Sequence, residues 1–216
     1  DIVSSGDPVE DANTKKQFLD AYDARHSIVT ESGKPATLLI GTEDWPFPIP
    51  IVQKDGAWSF DAVAGREELL ARRIGRNELA AIQASLAYYD AQNEYADQSK
   101  DSMGLPVYAQ RIVSSPGKKD GLYWPAAAGE PESPLGPAVA AATAQGYRVG
   151  EGPAPFHGYY YKILTRQGPA APGGAVDYIV RGDMIGGFAL LAYPAEYGNS
   201  GIASFIVNND GVVYEK

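Results

Sequence analysis

The N-terminal part of the chain has the pattern of a helix followed by strands. Asp7 and Pro8 stand where a helix cap and a first helical position are expected, and apolar residues recur at helical spacing after them. Two apolar alternations then flank Asp55-Gly56, a dipeptide typical of tight β-turns. The pattern therefore predicts a helix over residues 8–27 and a β-hairpin around Asp55.

Residues 64–99 have the apolar periodicity of long helices. Leu79, Ile82 and Leu86 follow one another at spacings of three and four, which places them on one helical face. Gly75 interrupts the pattern, and a new helix could begin after it. The sequence thus predicts either two helices that meet near Gly75 or one helix that is kinked there.

The C-terminal part alternates apolar and polar residues as strands do. Strands are predicted at residues 157–165, 188–193, 203–208 and 212–215. A hairpin turn is expected at 209–211, and a short Ala-rich helix between Ser133-Pro134 and Gly146. Because helices and strands occupy separate stretches, the sequence predicts an α+β fold: an N-terminal helix and β-hairpin lobe, central long helices and a C-terminal antiparallel sheet.

We expect the chain to be organised in four segments. They are an N-terminal α+β lobe, central helices, a loop-rich connector with a short helix, and a C-terminal antiparallel β lobe. Their expected ranges are 1–62, 63–100, 101–152 and 153–216. The 24 glycines and 16 prolines agree with long connections and many turns, because these residues favour turn conformations.

Composition and charge narrow the classes of partner. The net charge is −9, so the chain lacks the positive excess that neutralises phosphates, and neither nucleic acid nor an anionic membrane is an expected partner. No apolar run approaches the roughly 20 residues that span a bilayer, so no membrane span is expected in this chain. The absence of cysteine excludes disulfides and thiolate metal sites.

No metal, cofactor or catalytic residue is predicted. The chain has two histidines, and their spacing is not that of metal ligands. His26 is expected near the end of the first helix, in a surface role. His157 is expected to open a strand, where it is either a general base or a structural hydrogen-bonding group.

A basic group in the central helices is the first candidate for ligand binding. Arg73, Arg76 and Asn77 lie near the expected break at Gly75. Guanidinium groups there could hold an anion or a carboxylate, or they could form ion pairs with neighbouring glutamates along the helix surface.

Aromatic residues are the second candidate. Tyr123, Trp124 and Tyr159 could stack on a sugar, or they could fill the protein core. Trp45 and Phe47 lie in a proline-rich segment that cannot be a central strand. They are either exposed anchors for a partner or a plug between lobes.

Several blocks of the chain resemble one bacterial protein family. They include DWPFPIPIV at 44–52, SSPGKKDGLYWP at 114–125, HGYYYKILTRQGPAAPGG at 157–174 and the segment 184–216. The family is the one numbered twenty-nine fifty in the domain-of-unknown-function series. The resemblance spans essentially the whole chain. It implies an exported bacterial protein, periplasmic or extracellular, whose precursor carries a signal peptide, and a chain that starts at Asp1 rather than Met agrees with that expectation.

Two partial resemblances concern the fold. Residues 8–61 are similar to the cone-shaped nuclear-transport-factor-like fold, which often encloses a pocket. The C-terminal part resembles the C-terminal sheets of bacterial pilins and pseudopilins, which implies a pilin-like subunit as one alternative.

Three functions remain open from the sequence. It favours a non-enzymatic protein that binds or scaffolds something in the cell envelope, with an envelope protein or a glycan as partner. The first alternative is a pocketed enzyme or a binder of a small, glycan-like ligand, in which His157, Tyr159, Asp120 and Arg73 converge. The second alternative is the pilin-like subunit.

Overall fold

The computed structural model describes residues 4–150 and 152–216. In this part of the chain, helices and antiparallel sheets occupy separate regions, so the predicted α+β class is confirmed. The helices are α1 (Pro8–Ala24), α2 (Ala62–Gln98) and α3 (Gly136–Ala144). The strands of the N-terminal region are β1 (His26–Val29), β2 (Thr37–Ile40), β3 (Trp45–Pro46), β4 (Ile51–Lys54) and β5 (Ala57–Phe60). Those that follow α3 are β6 (Tyr159–Leu164), β7 (Arg166–Gln167), β8 (Val176–Asp177), β9 (Ile179–Val180), β10 (Asp183–Met184), β11 (Ala189–Pro194), β12 (Phe205–Asn208) and β13 (Val213–Glu215).

The N-terminal region contains the predicted helix and hairpin. β4 and β5 pair antiparallel across Asp55-Gly56, and β1, β2 and β3 form a second antiparallel sheet. The proline-rich β3 lies at the edge of that sheet, where a missing N–H donor does least harm. A small hydrophobic cluster fills this region, made of Ala36, Leu38, Ile40 and Ile51 with Phe18, Tyr22 and Phe47 packed against them.

The end of the first helix differs from the prediction. Arg25 has an extended backbone, so α1 stops at Ala24, and His26 begins β1 opposite Ile40. The His26 ring stacks on Tyr22 with 3.9 Å between centroids, and its Nδ1 lies 2.9 Å from the Tyr22 carbonyl oxygen. The predicted helix therefore extended into residues that form the first strand. A strand of four residues is too short to show the alternation of apolar and polar positions that identifies strands.

α2 is one continuous helix, and the prediction of two helices meeting near Gly75 is wrong. A side chain at Gly75 would contact nothing, so the glycine interrupts the apolar pattern without marking a junction. The predicted apolar face is also displaced, since Leu79 is exposed. The side chains that are buried instead share an adjoining stripe, and most of them are small or polar. They are Arg73, Asn77, Ala81, Ser85, Tyr88, Gln92 and Tyr95.

The C-terminal region is a four-stranded antiparallel sheet in the order β13-β12-β11-β6. One face packs on α2, where Phe188 meets Tyr88 edge-on with 5.7 Å between ring centroids. The turn between β12 and β13 is the predicted hairpin. The predicted strand 157–165 is shorter than expected, because His157 has a φ of 49° and precedes β6 in a turn.

The connector between α2 and β6 holds α3, the predicted Ala-rich helix. α3 begins at Gly136 with a proline in its first turn, slightly after the predicted Pro134 start, and Gly146 follows it with a φ of 99°. Three hydrophobic clusters are found among the described residues, one in the N-terminal region and two between α2 and the C-terminal sheet. The division into four segments stays a prediction.

Candidate functional site

A buried carboxylate joins the start of α1 to the C-terminal half of the chain. Asp7 is only 1 % exposed. Its Oδ1 accepts hydrogen bonds from the backbone N–H groups of Val9 and Glu10, which caps α1. Its Oδ2 accepts the Tyr147 hydroxyl at 2.9 Å and the Gly158 N–H at 3.1 Å. The group around this carboxylate, called the polar junction below, comprises Asp7, Glu10, Arg73, Arg76, Asn77, Tyr147, His157 and Asn199.

His157 lies in the polar junction and is oriented by a carboxylate. Its Nδ1 is 3.4 Å from Oε2 of Glu10, whose other oxygen is 3.5 Å from Nε of Arg76. The contact with His157 is the main reason why the pKa of Glu10 lies below its ordinary value, and burial opposes the shift. The imidazole also packs on Phe156 and Tyr147. These contacts fit the structural role that the sequence left open for this histidine.

Arg73 and Asn77 fasten the middle of α2 to other segments. The Arg73 guanidinium donates hydrogen bonds to the Ser4 carbonyl oxygen and to Oδ1 of Asn199. Asn77 is buried, and its side-chain amide donates to the Ser200 carbonyl oxygen at 3.0 Å. The predicted anion-binding groups therefore contact protein atoms, and their use for a ligand stays a prediction.

The four residues of the enzyme alternative do not form one set. Arg73 and His157 belong to the polar junction. The Tyr159 side chain is fully buried and its hydroxyl donates to the Ala203 carbonyl oxygen at 2.9 Å. Asp120 accepts hydrogen bonds from the N–H and the hydroxyl of Ser115, and the first of these is the main cause of its lowered pKa. Tyr159 is thus a core residue, and Asp120 organises its own loop.

Tyr123 and Trp124 line a cavity of about 270 Å³. Trp124 is largely buried, and the ammonium group of Lys119 lies 5.5 Å from the centre of its ring. The rest of the wall is formed by residues 113–119 and Pro125. The sequence placed both aromatic residues in a ligand site or in the core. Trp124 belongs to the buried core cluster between α2 and the C-terminal sheet, and the use of the cavity for a ligand stays a prediction.

Exposed aromatic rings gather on the N-terminal region. Trp45, Trp58 and Phe60 are 44 %, 55 % and 51 % exposed. Phe47 links them, with its ring centroid 6.4 Å from that of Trp45 and 5.8 Å from that of Phe60. Trp58 stands two residues before Phe60 on β5 and so on the same face of the hairpin. We call Trp45, Phe47, Trp58 and Phe60 the aromatic surface.

The exposure of Trp45 argues against a plug between lobes at this position, and its use as an anchor for a partner stays a prediction. Trp45 is an exposed ring on edge strand β3, held by the guanidinium of Arg72 at 5.1 Å from its ring centre. Trp58 and Phe60 were not among the predicted site residues. The signal available in the sequence was their alternation with Ala57 and Ser59, which leaves only small side chains on the other face of the strand.

Residues 4–150 and 152–216 contain no candidate metal site and no candidate membrane-spanning helix. No group of three or more histidine or carboxylate side chains is placed there to hold a metal ion. Nor does any helix in the same ranges have both the length and the apolar character needed to cross a membrane.

Fold and site together define an α+β protein in which one long helix packs on an antiparallel sheet and an aromatic surface lies on a separate hairpin region. The chain matches the family described as Protein of unknown function (DUF2950) over residues 1–216, and it belongs to that family. Comparison with curated proteins found no match, and neither did comparison with solved structures.

Proposed function

We propose that this is an exported, non-enzymatic protein of the bacterial cell envelope, periplasmic or extracellular, that binds or scaffolds another envelope protein through the aromatic surface. The observation that carries the proposal is the exposure of three large aromatic side chains in one region of the molecule. Tryptophan and other aromatic residues are enriched at protein interfaces, and contiguous exposed apolar patches mark interaction sites. The export part of the proposal rests on the sequence resemblance described above.

The hairpin favours a polypeptide as the partner. β5 pairs with β4 on one side only, and among the described residues no backbone group pairs with its other edge. All four residues of β5 are exposed. An open strand edge offers a row of N–H and C=O groups to an added strand, and neighbouring side chains then supply specificity. The net charge of −9 favours a partner segment that carries basic residues.

Three carboxylates at the candidate sites already have structural partners. Asp7 caps α1, Glu10 contacts His157 and Arg76, and Asp120 binds Ser115. Groups committed to such contacts hold neighbouring segments in place. This supports binding over turnover as the function of the chain.

The test is site-specific photo-crosslinking in the organism of origin. A photoreactive phenylalanine analogue replaces Trp58 in one variant and Tyr197 in another. Tyr197 is the matched control because it is 81 % exposed and lies outside the aromatic surface. We expect a discrete protein adduct from position 58 and none from position 197. The result that contradicts the proposal is an absence of adducts at 58, or the same adducts at both positions.

A second measurement separates protein from glycan partners. One part of the purified adduct from position 58 is treated with glycan-degrading enzymes and its mass is measured intact. The other part is digested with protease, and the peptide that carries the photoreactive residue is analysed by mass spectrometry. We expect that peptide to be joined to a second peptide of foreign sequence and the intact mass to survive glycan degradation. A loss of adduct mass on glycan degradation, with no second peptide, would assign the aromatic surface to a glycan and would overturn the protein partner.

A further inference from the structure

The cavity lined by residues 113–119 and 123–125, called the loop cavity below, shares no residue with the polar junction or the aromatic surface. Its volume of about 270 Å³ lies just below the range of roughly 300–1,000 Å³ that is typical of sites for drug-sized ligands. The space therefore suits a ligand of about the size of one sugar ring.

The wall of the loop cavity is held in one conformation by its own hydrogen bonds. Lys118 donates its N–H to the Ser115 carbonyl oxygen at 2.9 Å, which closes a turn with Gly117 at a φ of +73°. The Asp120 carboxylate binds the N–H and the hydroxyl of Ser115 at 2.7 and 2.9 Å. A site that is formed before binding loses little conformational entropy when a ligand enters.

The charge around the loop cavity is opposite in sign to that of the whole chain. Lys118 and Lys119 line the cavity, and the Arg111 guanidinium donates to the Ser115 hydroxyl at its wall. Two carboxylates are close by, since Asp120 binds Ser115 and Glu130 lies 3.4 Å from the Lys119 ammonium. Three cations thus face two anions in a protein of net charge −9. A ligand with one negative charge balances the surplus.

The other component of the loop cavity is aromatic. Trp124 and Tyr123 form one wall, and the Lys119 ammonium lies over the indole ring. A cation beside an aromatic wall suits a ligand that carries a carboxylate at one end and an apolar ring face at the other. The Ser114 hydroxyl in the same wall accepts the Gly121 N–H and can donate its own proton to a hydroxyl group of the ligand.

We propose that the loop cavity binds an acidic monosaccharide, with Lys118 and Lys119 against its carboxylate and Tyr123 and Trp124 against its ring. This sugar site is separate from the proposed binding of an envelope protein by the aromatic surface. The two can fail independently, because the aromatic surface contributes nothing to the cavity.

Trp124 itself can report on binding. The chain has three tryptophans, so a Trp45→Phe, Trp58→Phe variant leaves Trp124 as the single tryptophan fluorophore. This variant is titrated with glucuronate, N-acetylneuraminate and N-acetylmuramate, and with neutral glucose as the control. Calorimetry of the unaltered protein with the same four sugars detects binding even if the fluorescence of Trp124 does not change. We expect saturable binding of at least one acidic sugar and none of glucose at the same concentrations.

Charge-removing variants test which groups hold the carboxylate. Lys118→Gln is expected to weaken binding of the acidic sugar about fivefold, and Lys54→Gln, an exposed lysine on β4, is expected to leave it unchanged. Added salt should weaken binding to the unaltered protein, because exposed charges are screened. The proposal is overturned if no acidic sugar binds, if glucose binds equally well, or if Lys118→Gln has no more effect than Lys54→Gln.

Discussion

The polar junction and the aromatic surface use their side chains in opposite ways. In the polar junction, several charged and polar groups are withdrawn from water and bonded to one another, as Asp7 shows with four hydrogen bonds to its carboxylate. On the aromatic surface, large apolar rings remain in water, with Trp58 more than half exposed. Each region reverses the usual distribution of residue types between core and surface.

The contrast between the two regions shows that buried polar residues and exposed aromatic residues have different explanations. A buried polar group is costly unless its hydrogen bonds are made, so the polar junction is explained by the segments that it ties together. The exposed part of an aromatic ring contributes little to the stability of the isolated chain, and the partner proposed above would account for the aromatic surface by covering it. Stability measurements should therefore respond to changes in the polar junction and hardly at all to changes of the exposed rings of the aromatic surface.

A large loss of stability is expected from removal of the Asp7 carboxylate. Asp7→Ala removes the cap of α1 and leaves the Tyr147 hydroxyl and the Gly158 N–H without their acceptor, so the free energy of unfolding should fall by about 3 kcal/mol. Urea denaturation measures the change. Asp20→Ala, in an exposed ion pair with Lys16, is the control and should change stability by less than about 0.5 kcal/mol. Equal effects of the two variants would show that the polar junction is not a stabilising element.

A matched pair of glycines tests the close packing inside the polar junction. Gly158 and Gly33 both have positive φ values, +73° and +77°. A Cβ on Gly158 would lie 2.5 Å from Nδ2 of Asn77, whereas a Cβ on Gly33 would meet nothing within 4 Å. We expect Gly33→Ala to destabilise by about 1 kcal/mol through its backbone and Gly158→Ala by about 3 kcal/mol. Similar melting temperatures for the two variants would contradict the close contact.

The pH dependence of stability should report on Glu10. Its pKa in the folded protein lies below the ordinary value of 4.5, chiefly because of the contact with His157. A lowered pKa stabilises the folded state above the ordinary value, and this contribution is lost as the pH falls through the folded value. At neutral pH the free energy of unfolding of the unaltered protein should exceed that of Glu10→Gln by about 1 kcal/mol. This difference between the two proteins should become smaller below about pH 4.5. Denaturation curves of both proteins across this pH range measure the difference in their free energies of unfolding. A difference that does not change with pH would show that ionisation of Glu10 does not contribute to stability.

The smallest effect on stability is expected on the aromatic surface. Trp58→Ala removes a ring that is mostly in water and should change the free energy of unfolding by less than about 1 kcal/mol. Phe205→Ala, at a fully buried position, is the contrasting variant and should destabilise by about 3 kcal/mol. Thermal denaturation of both variants separates the two cases. A loss of several kcal/mol on Trp58→Ala would mean that the ring serves the fold rather than a partner.

The elements that local signals specify were predictable from the sequence. The cap at Asp7, the turn at Asp55-Gly56 and the last hairpin all depend on residues that are adjacent in the chain. The buried face of α2 was not predictable from apolar spacing, because Asn77 and Ser85 occupy it while Leu79 is in water. A hydrophobic pattern marks the buried face of a helix only where that face packs against apolar groups.

The candidate sites were less predictable than the fold. Arg73, Asn77 and His157 were singled out separately, and the structure places them in one junction through partners that no local pattern indicates. The Asp7 carboxylate is the clearest case. Its role as a cap follows from the next three residues, but its bonds to Tyr147 and Gly158 join positions 140 and 151 residues away.

That same sequence separation has a kinetic consequence. Contacts between distant residues close large loops at a cost in entropy, and we expect the Asp7 contacts to form after the local helices and hairpins. A bond that forms after the transition state slows unfolding without speeding folding. The Asp7 carboxylate should therefore affect the lifetime of the folded protein more than the speed of its formation. Its removal should raise the unfolding rate by a much larger factor than it lowers the folding rate.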